Sequence, residues 1–468
     1  MKKNFQQFKR FFSIICVSLS FIYQAFIRVQ GTSGETEKRR AILLREHIEQ
    51  LGSVFIKFGQ FLSIYPALLP QLYCEELFYL LENVPSFPTK DVLKIFREEF
   101  YKNPEDLFQD FTLQPLAAAS FGQVHKAVLK SGEKVVVKIQ RPNILKIVAE
   151  DISLMKLLAT FFDFFPHGPN KFTDAVEEFE LWTKGELDYL TEAQLTEEYS
   201  ENINKKRGDI FAPKVYKQYS SKRILTTEFI EGITLSKILL AIRNNDKELL
   251  GKLKQMGFSR KDVAMKISKD SLKQIYLKGF FHGDPHPANI IFTKNKQLAY
   301  IDFGICGRLT KKQKILCLRY ARSFWTQDFE STFETLIQLC EPKIKNMERL
   351  KVDFITHLQT AHEARRRRRE TGSFRNRNEF LETLKLLQKY KVKMPPSIIL
   401  YYRTVIVLRN ITFLLCPEIE TVEIIQLLKN ISLINLLTEL PSLFKKEQRT
   451  MRLATLLNIL ENEVTKIL

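Results

Sequence analysis

Asp284 lies in the run His282-Gly283-Asp284-Pro285-His286-Pro287-Ala288-Asn289, and Asn289 follows it by five residues. A carboxylate in such a loop can orient or deprotonate an attacking hydroxyl or water, while the Asn289 amide oxygen can take a magnesium ligand position. Thirteen residues beyond Asn289, Asp302 opens the tripeptide Asp302-Phe303-Gly304. A carboxylate there can bridge metal ions to phosphate oxygens. Upstream, Lys138 stands in the β-branched run Val135-Val136-Val137-Lys138-Ile139-Gln140. An ammonium in a strand is costly to bury unpaired, so this lysine needs a salt link to a helix glutamate and, in function, contact with the α and β phosphates. The chemistry these four residues can do together is phosphoryl transfer or hydrolysis on a magnesium-bound nucleotide.

Spacing raises this above coincidence. An H-x-D-x-x-x-x-N run followed at this interval by D-F-G is the catalytic-loop and metal-loop pair of protein kinases. Where those enzymes carry a glycine-rich flap, this chain has Pro115-Leu116-Ala117-Ala118-Ala119-Ser120-Phe121-Gly122-Gln123. Alanine keeps such a loop small but removes the freedom at positive φ that glycine supplies. Ala117, Ala118, Ala119 and Ser120 should therefore hold phosphates differently from a glycine loop.

The elements that must position these groups follow from periodicity and turn signals. Glu37 to Ser63 reads as helix, with Ile42, Leu43, His47, Ile48, Leu51, Phe55, Phe58 and Leu62 near one stripe. Four prolines between Pro66 and Pro88 interrupt the chain around a helical piece at Leu72 to Leu81. Lys134 to Gln140 reads as a strand after the turn Ser131-Gly132. Ile144 to Phe165, Phe172 to Ile203 and Leu235 to Lys278 read as helix, and Lys214 to Tyr219 and Arg223 to Phe229 as strands. A short hairpin turning at Lys294 to Lys296 brings Asn289 and Asp302 to one mouth. Everything after Thr310 reads as helical. Ile398 to Cys416 is apolar but contains Arg403 and Arg409, which fits a buried helix better than a membrane span.

With 468 residues, 45% apolar and 27% charged, the chain can form two lobes and additional helices rather than a disordered tail. The net charge of +19 favours anionic partners: nucleotide phosphates, an acidic membrane face or nucleic acid. Charge alone does not distinguish these from a basic solvated surface. Arg365 to Arg369 could bind lipid headgroups or nucleic acid, although such runs are more often a solvated helix end or loop. No aromatics interleave with it to build a nucleic-acid platform. Six scattered cysteines with no C-x-x-C pair read as reduced thiols. Near the start, Lys2, Lys3, Lys9 and Arg10 precede an uncharged run from Phe11 to Ile27. That run has three open readings: a packed amphipathic helix, a helix lying on a membrane, or a span.

The combination of PLAAASFGQVHKA, VVVKIQRP, HGDPHPAN, DFG and the upstream Lys57-Phe58-Gly59-Gln60 resembles the UbiB/AarF family of atypical kinases, from about Leu43 to Leu309. The resemblance implies an α+β, bilobal protein-kinase-like fold with a helical N-terminal extension and a helical C-terminal region. The expected divisions are an apolar and basic segment over 1–36, an extension over 37–105, an N-lobe with a helical insert over 106–232, a C-lobe over 233–340 and a helical region over 341–468. The family's K-x-G-Q element lands on Lys57 and Gln60, and its E-x-D element on Glu186 and Asp188, placed opposite that helix as a regulatory set. Its glutamate partner for the strand lysine lands on Glu192, and the adenine hinge on Glu228 to Ile230. Ala288, where the family usually has glycine, and Ile64-Tyr65, where it often has Thr-Arg, depart from the pattern. The two hydrophobic C-terminal spans of some bacterial relatives are not evident.

Activity implied by the resemblance is that of an atypical kinase or ATPase using ATP and Mg2+ and supporting isoprenoid quinone (ubiquinone) biosynthesis. Protein phosphorylation is expected to be suppressed in cis, because no A-P-E element and no long activation segment follow Gly304. The alternatives are a kinase acting on proteins and a nucleotide-gated scaffold for lipid-modifying enzymes. Expected partners are nucleotide, isoprenoid lipid or quinone precursors and an anionic membrane, without nucleic acid. The expected location is cytoplasmic and peripheral on the inner membrane or anchored by a single span, and mitochondrial in a eukaryote.

Overall fold

In the computed structural model, the described residues are 2–417 and 428–429, apart from 30, 32–33, 64–68, 78–79, 81–84, 119, 165–171, 204–207, 341–345, 372–382, 384–385, 388, 391 and 393. Ala119, the Ile64-Tyr65 departure and the helical reading of 430–468 fall outside them.

Four helices open the chain: α1 (Lys2–Ile22), α2 (Gly34–Leu51), α3 (Ser53–Ser63) and α4 (Gln71–Leu77). The single long helix expected over Glu37 to Ser63 is two, because Gly52 adopts φ +88 and turns the chain between α2 and α3. Ile48, Leu51, Val54, Phe55, Phe61 and Leu62 pack with Ile152, Met155 and Phe179 into one apolar core. Gly59 lets the core close tightly there, since a Cβ would meet the end of the Leu80 side chain at 2.4 Å and Ile48 at 3.1 Å. Helix α1 docks on the same core through Ile14, and Arg10 donates to both carboxylate oxygens of Asp151 at 2.8 and 2.7 Å and to the Leu51 carbonyl. It is a packed helix on this side. Its other face exposes Phe12, Leu19 and Ile22 and, on the π-helical turn that follows, Tyr23 and Ile27.

After α5 (Thr89–Phe100) and α6 (Pro104–Leu107) comes an antiparallel sheet of β1 (Phe108–Phe111), β2 (Ala117–Ala118), β3 (Gly122–Leu129) and β4 (Lys134–Gln140), completed later by β6 (Ile224–Glu228). The order is β1-β3-β4-β6 with β2 paired to β3, so the alanine flap forms its own short ladder, Ala117 opposite Val124 and Ala118 opposite Gln123. Val135, Val137 and Ile139 point inward and are fully buried, and the alternation puts Lys138 on the opposite, cleft-facing side. The loop before α5 is pinned to this sheet, with the Phe87 N–H donating to Gln123 at 3.0 Å.

Helices α7 (Ile144–Asp163), α8 (Phe172–Glu186) and α9 (Tyr189–Ile203) follow. The break between α8 and α9 has a local cause: Asp188 accepts from the Leu190 and Thr191 N–H groups and starts a new helix. A strand expected over Lys214 to Tyr219 is instead one bridge, Val215 opposite Thr227, followed by a 3-10 turn at Lys217–Tyr219, because the Tyr219 and Ser220 N–H groups turn back to the Tyr216 and Lys217 carbonyls.

The larger lobe holds β5 (Ile210–Phe211), β7 (Gly232–Thr234), α10 (Leu235–Asn244), α11 (Lys247–Gln255), α12 (Arg260–Leu272) and a π-helical turn over Lys273–Lys278. Strands β8 (Phe280–His282), β9 (Ile290–Thr293), β10 (Leu298–Tyr300) and β11 (Cys306–Arg308) frame the segments that carry Asp284, Asn289 and Asp302, with sheet order β5-β10-β9-β7 and a separate β8-β11 pair. Lys296 at φ 59 makes the hairpin turn between β9 and β10. Helix α13 (Lys311–Trp325) begins two residues after β11, capped by Thr310, and α14 (Phe329–Leu339), α15 (Met347–Thr371) and α16 (Pro396–Leu415) complete the lobe. Helix α16 is long and apolar enough to cross a membrane by length and composition alone; half of it is buried, against α12 and the β8-β11 segments.

Candidate functional site

Lys138 makes the central contact. Its Nζ lies 3.0 and 2.9 Å from the two oxygens of Glu192 and 3.0 Å from Asp302, with the Tyr189 ring 5.0 Å away. Strand β4, helix α9 and the loop after β10 thus meet at one ammonium. Gly122, opening β3, lets Tyr189 in: a Cβ would meet its hydroxyl at 2.7 Å.

Two carboxylates share this one cation, and their environments separate them. Burial disfavours ionisation of Asp302, but Lys138 and Lys57 outweigh it and hold its carboxyl well below the usual range. Glu192 is 2% exposed, and burial together with repulsion from Asp302 pushes it up to about 7 despite Lys138. For Lys138, the two carboxylates outweigh burial and keep the ammonium protonated.

A second ion pair lies at the mouth. Lys57 of α3 reaches Glu186, the last residue of α8, at 3.1 Å, with both side chains largely buried. Gly304 lets α8 approach this closely, since a Cβ on it would touch Glu186 and Asp302. The extension therefore reaches the metal loop itself. Gln60 and Asp188 are placed elsewhere: Gln60 donates to the Leu80 carbonyl at 3.0 Å, and Asp188 is exposed and caps α9.

Asp284 meets a group that motif reading did not single out for the site. Arg403 of α16 comes within 3.6 Å of its carboxylate and lies 3.9 Å over the Trp182 ring. Burial opposes ionisation of Asp284, yet Arg403 and then Lys57 bring its carboxyl below the ordinary value. Thr404 adds a hydrogen bond to the Gly283 carbonyl at 3.3 Å. The signal in the sequence was a cation inside an apolar helix, which had pointed to burial but not to a partner 119 residues away.

Asn289 sits beside the metal loop because the Ile301 N–H donates to its carbonyl at 3.0 Å. Its amide nitrogen donates to the Asp284 carbonyl at 3.4 Å, which leaves the amide oxygen to meet a cation. One carboxylate and one amide oxygen are hard donors suited to Mg2+, which keeps several ligands from water and phosphate. Among the described residues no group of three or more His, Cys, Asp or Glu could hold a metal alone, so phosphate and water would have to complete the shell. At the expected hinge, the Glu228 and Phe229 N–H groups donate to the Lys214 and Lys134 carbonyls.

Comparison with known proteins bears on the family and the fold. Residues 79–336 match the family model described as the ABC1 atypical kinase-like domain. An uncharacterised protein of Synechocystis sp. is 30% identical over 393 residues, covering 83% of this chain and 93% of that protein. Protein ACTIVITY OF BC1 COMPLEX KINASE 7, chloroplastic, of Arabidopsis thaliana is 35% identical over 321 residues, covering 66% of this chain and 44% of that protein. The chain thus spans less than half of the Arabidopsis relative. The structure of Rv3197 from Mycobacterium tuberculosis, solved with erythromycin, is similar in fold at a TM-score of 0.51 and 20% identity, covering 80% of this chain and 90% of that one. The helix-rich α+β architecture is accordingly a kinase-like fold. The chain belongs to the ABC1 atypical kinase-like family, the UbiB/ABC1 group.

Proposed function

We propose that this protein binds ATP with Mg2+ in the cleft lined by Lys138, Glu192, Asn289 and Asp302 and acts as an atypical kinase or ATPase whose substrate is a small molecule or lipid. The observation that carries this is the Lys57–Glu186 pair, with Glu186 packed against Gly304 next to Asp302; in this reading the N-terminal extension covers the side on which a protein kinase would admit a peptide. Among the described residues only Ile305, β11 and two further residues separate Gly304 from α13, so no peptide platform lies there. In this reading ATP·Mg2+ supplies the phosphoryl group. Lys138 orients the α and β phosphates, Asp284 orients the acceptor hydroxyl or water, and the Ala117-Ala118 ladder holds the flap over the nucleotide.

Support for isoprenoid quinone biosynthesis rests on the family resemblance. The apolar stripe of Phe12, Leu19, Tyr23 and Ile27 with the +19 charge supports peripheral attachment to an anionic leaflet. A second reading, a nucleotide-gated scaffold, draws on Arg403, which neutralises the carboxylate a transfer reaction would use. ATP hydrolysis by purified protein, with and without anionic liposomes and quinone precursors, separates the two. Turnover abolished by Asp284→Asn supports the enzyme, and binding with no turnover under any condition supports the scaffold.

A further inference from the structure

Outside the nucleotide cleft, a chain of polar contacts runs under the catalytic loop from a residue that no motif includes. Asp270, partly buried near the end of α12, accepts from the Tyr199 hydroxyl at 3.1 Å and from the Gln274 amide at 2.5 Å. The Gln274 oxygen accepts the His282 N–H at 2.9 Å, and the His282 Nδ1 accepts the Asp284 N–H at 3.2 Å. Tyr199, Gln274 and His282 are each nearly inaccessible to solvent.

The same residues touch the metal loop. The Phe303 ring packs 4.8 Å from Tyr199 and stacks on His282 at 5.1 Å and 29°. Burial lowers His282 to about 4, so its ring is neutral at physiological pH and its Nδ1 is free to accept. Tyr199 stands two turns beyond Glu192 on α9 and so on the same face as the Lys138 partner. Gln274 lies in the π-helical turn over Lys273–Lys278, and such turns are frequent at functional sites.

From this geometry we infer that Asp270 is a positioning residue for the proposed reaction. It ties the helix that carries Glu192 to the loop that carries Asp284, with Phe303 clamped between them. Two donors converge on one carboxylate oxygen, which sets the Gln274 amide so that its oxygen faces His282. Losing the carboxylate frees that amide to rotate, and the His282–Asp284 backbone loses its support. Strand β4 with Lys138, and the flap paired to β3, lie outside this chain of contacts. The inference rests on the proposed function for its catalytic consequence but not for the contact chain itself.

The test compares wild type with Asp270→Asn, Gln274→Leu and Tyr199→Phe in the full chain. Deuterium uptake by the peptide over 280–289 is measured against uptake by helix α5. The expected result is uptake about tenfold faster at 280–289 in Asp270→Asn and Gln274→Leu, with α5 unchanged. In ATP turnover, kcat falls by about tenfold or more and KM for ATP changes by a smaller factor than kcat, because misplacement acts chiefly on the reacting atoms. The Asp270→Asn/Gln274→Leu double variant is no slower than Gln274→Leu alone. Unchanged uptake at 280–289, or two kcat losses that multiply, overturns the inference. If wild type shows no turnover, the proposed function fails, and the exchange measurement still decides the relay. Should Asp270→Asn not fold, Gln274→Leu and Tyr199→Phe carry the same comparison.

Discussion

Arg403 and Asp284 lie 3.6 Å apart although they come from the last described long helix and from the loop before β9, and the Trp182 ring backs the guanidinium at 3.9 Å. This contact makes α16 part of the catalytic loop's environment. It predicts that Arg403→Met raises the Asp284 pKa, because the main cation opposing burial is gone. The acid limb of the turnover profile then moves to higher pH. A limb that stays in place would show that Arg403 does not set the charge of Asp284.

The Lys57–Glu186 pair is largely buried, so it should be worth more than an exposed pair. A double-mutant cycle with Lys57→Met and Glu186→Gln should give a coupling of about 1–3 kcal/mol in unfolding. Each single variant also loosens α3 at the cleft mouth and raises nucleotide turnover. Zero coupling, or turnover indifferent to both changes, would remove the extension from the regulation of the site.

Stability of the nucleotide-free protein should depend on pH through Glu192. Its folded pKa, about 7, lies above the unfolded value, so its contribution is full below the unfolded pKa and fades as pH rises through about 7. Melting temperature should therefore rise as pH falls from about 8 to 6, by the equivalent of roughly 1–3 kcal/mol. Glu192→Gln should flatten that rise. Parallel curves for the two proteins would contradict the assignment.

Arg10 ties α1 to the fold rather than leaving it as a loose anchor. Asp151 is 1% exposed, so Arg10→Ala strands a buried carboxylate at a cost of about 2–4 kcal/mol. The full-length variant should melt several degrees lower. An unchanged melting temperature would mean that α1 is not part of the folded unit.

Much of the site could be read before the fold because its residues lie in short runs whose spacing the chemistry imposes. Asp284 and Asn289 share one loop, Asp302 follows a hairpin, and Lys138 stands alone in a β-branched strand. Arg403, Trp182, Tyr189 and Asp270 were not legible as site residues, since their roles arise from contacts that no local pattern encodes. Helix limits went wrong where one residue decides them. Periodicity runs through Gly52 and Asp188 without interruption, but positive φ at one and an N-cap at the other end the helices. The apolar run at Phe11 to Ile27 left three readings open because composition does not say which face is covered; the structure packs Ile14 into the core and exposes Phe12, Leu19 and Ile22 on the other face.

The central claim is that Asp302 and Asn289 hold Mg2+ for a nucleotide that Lys138 orients. Its most direct test is the melting shift given by ATP with and without Mg2+. At one hundred times Kd a ligand stabilises by about 2.7 kcal/mol. Wild type should show a shift that grows with Mg2+, and Asp302→Asn should lose the magnesium-dependent part. An Asp302→Asn protein with the full magnesium-dependent shift would contradict the account.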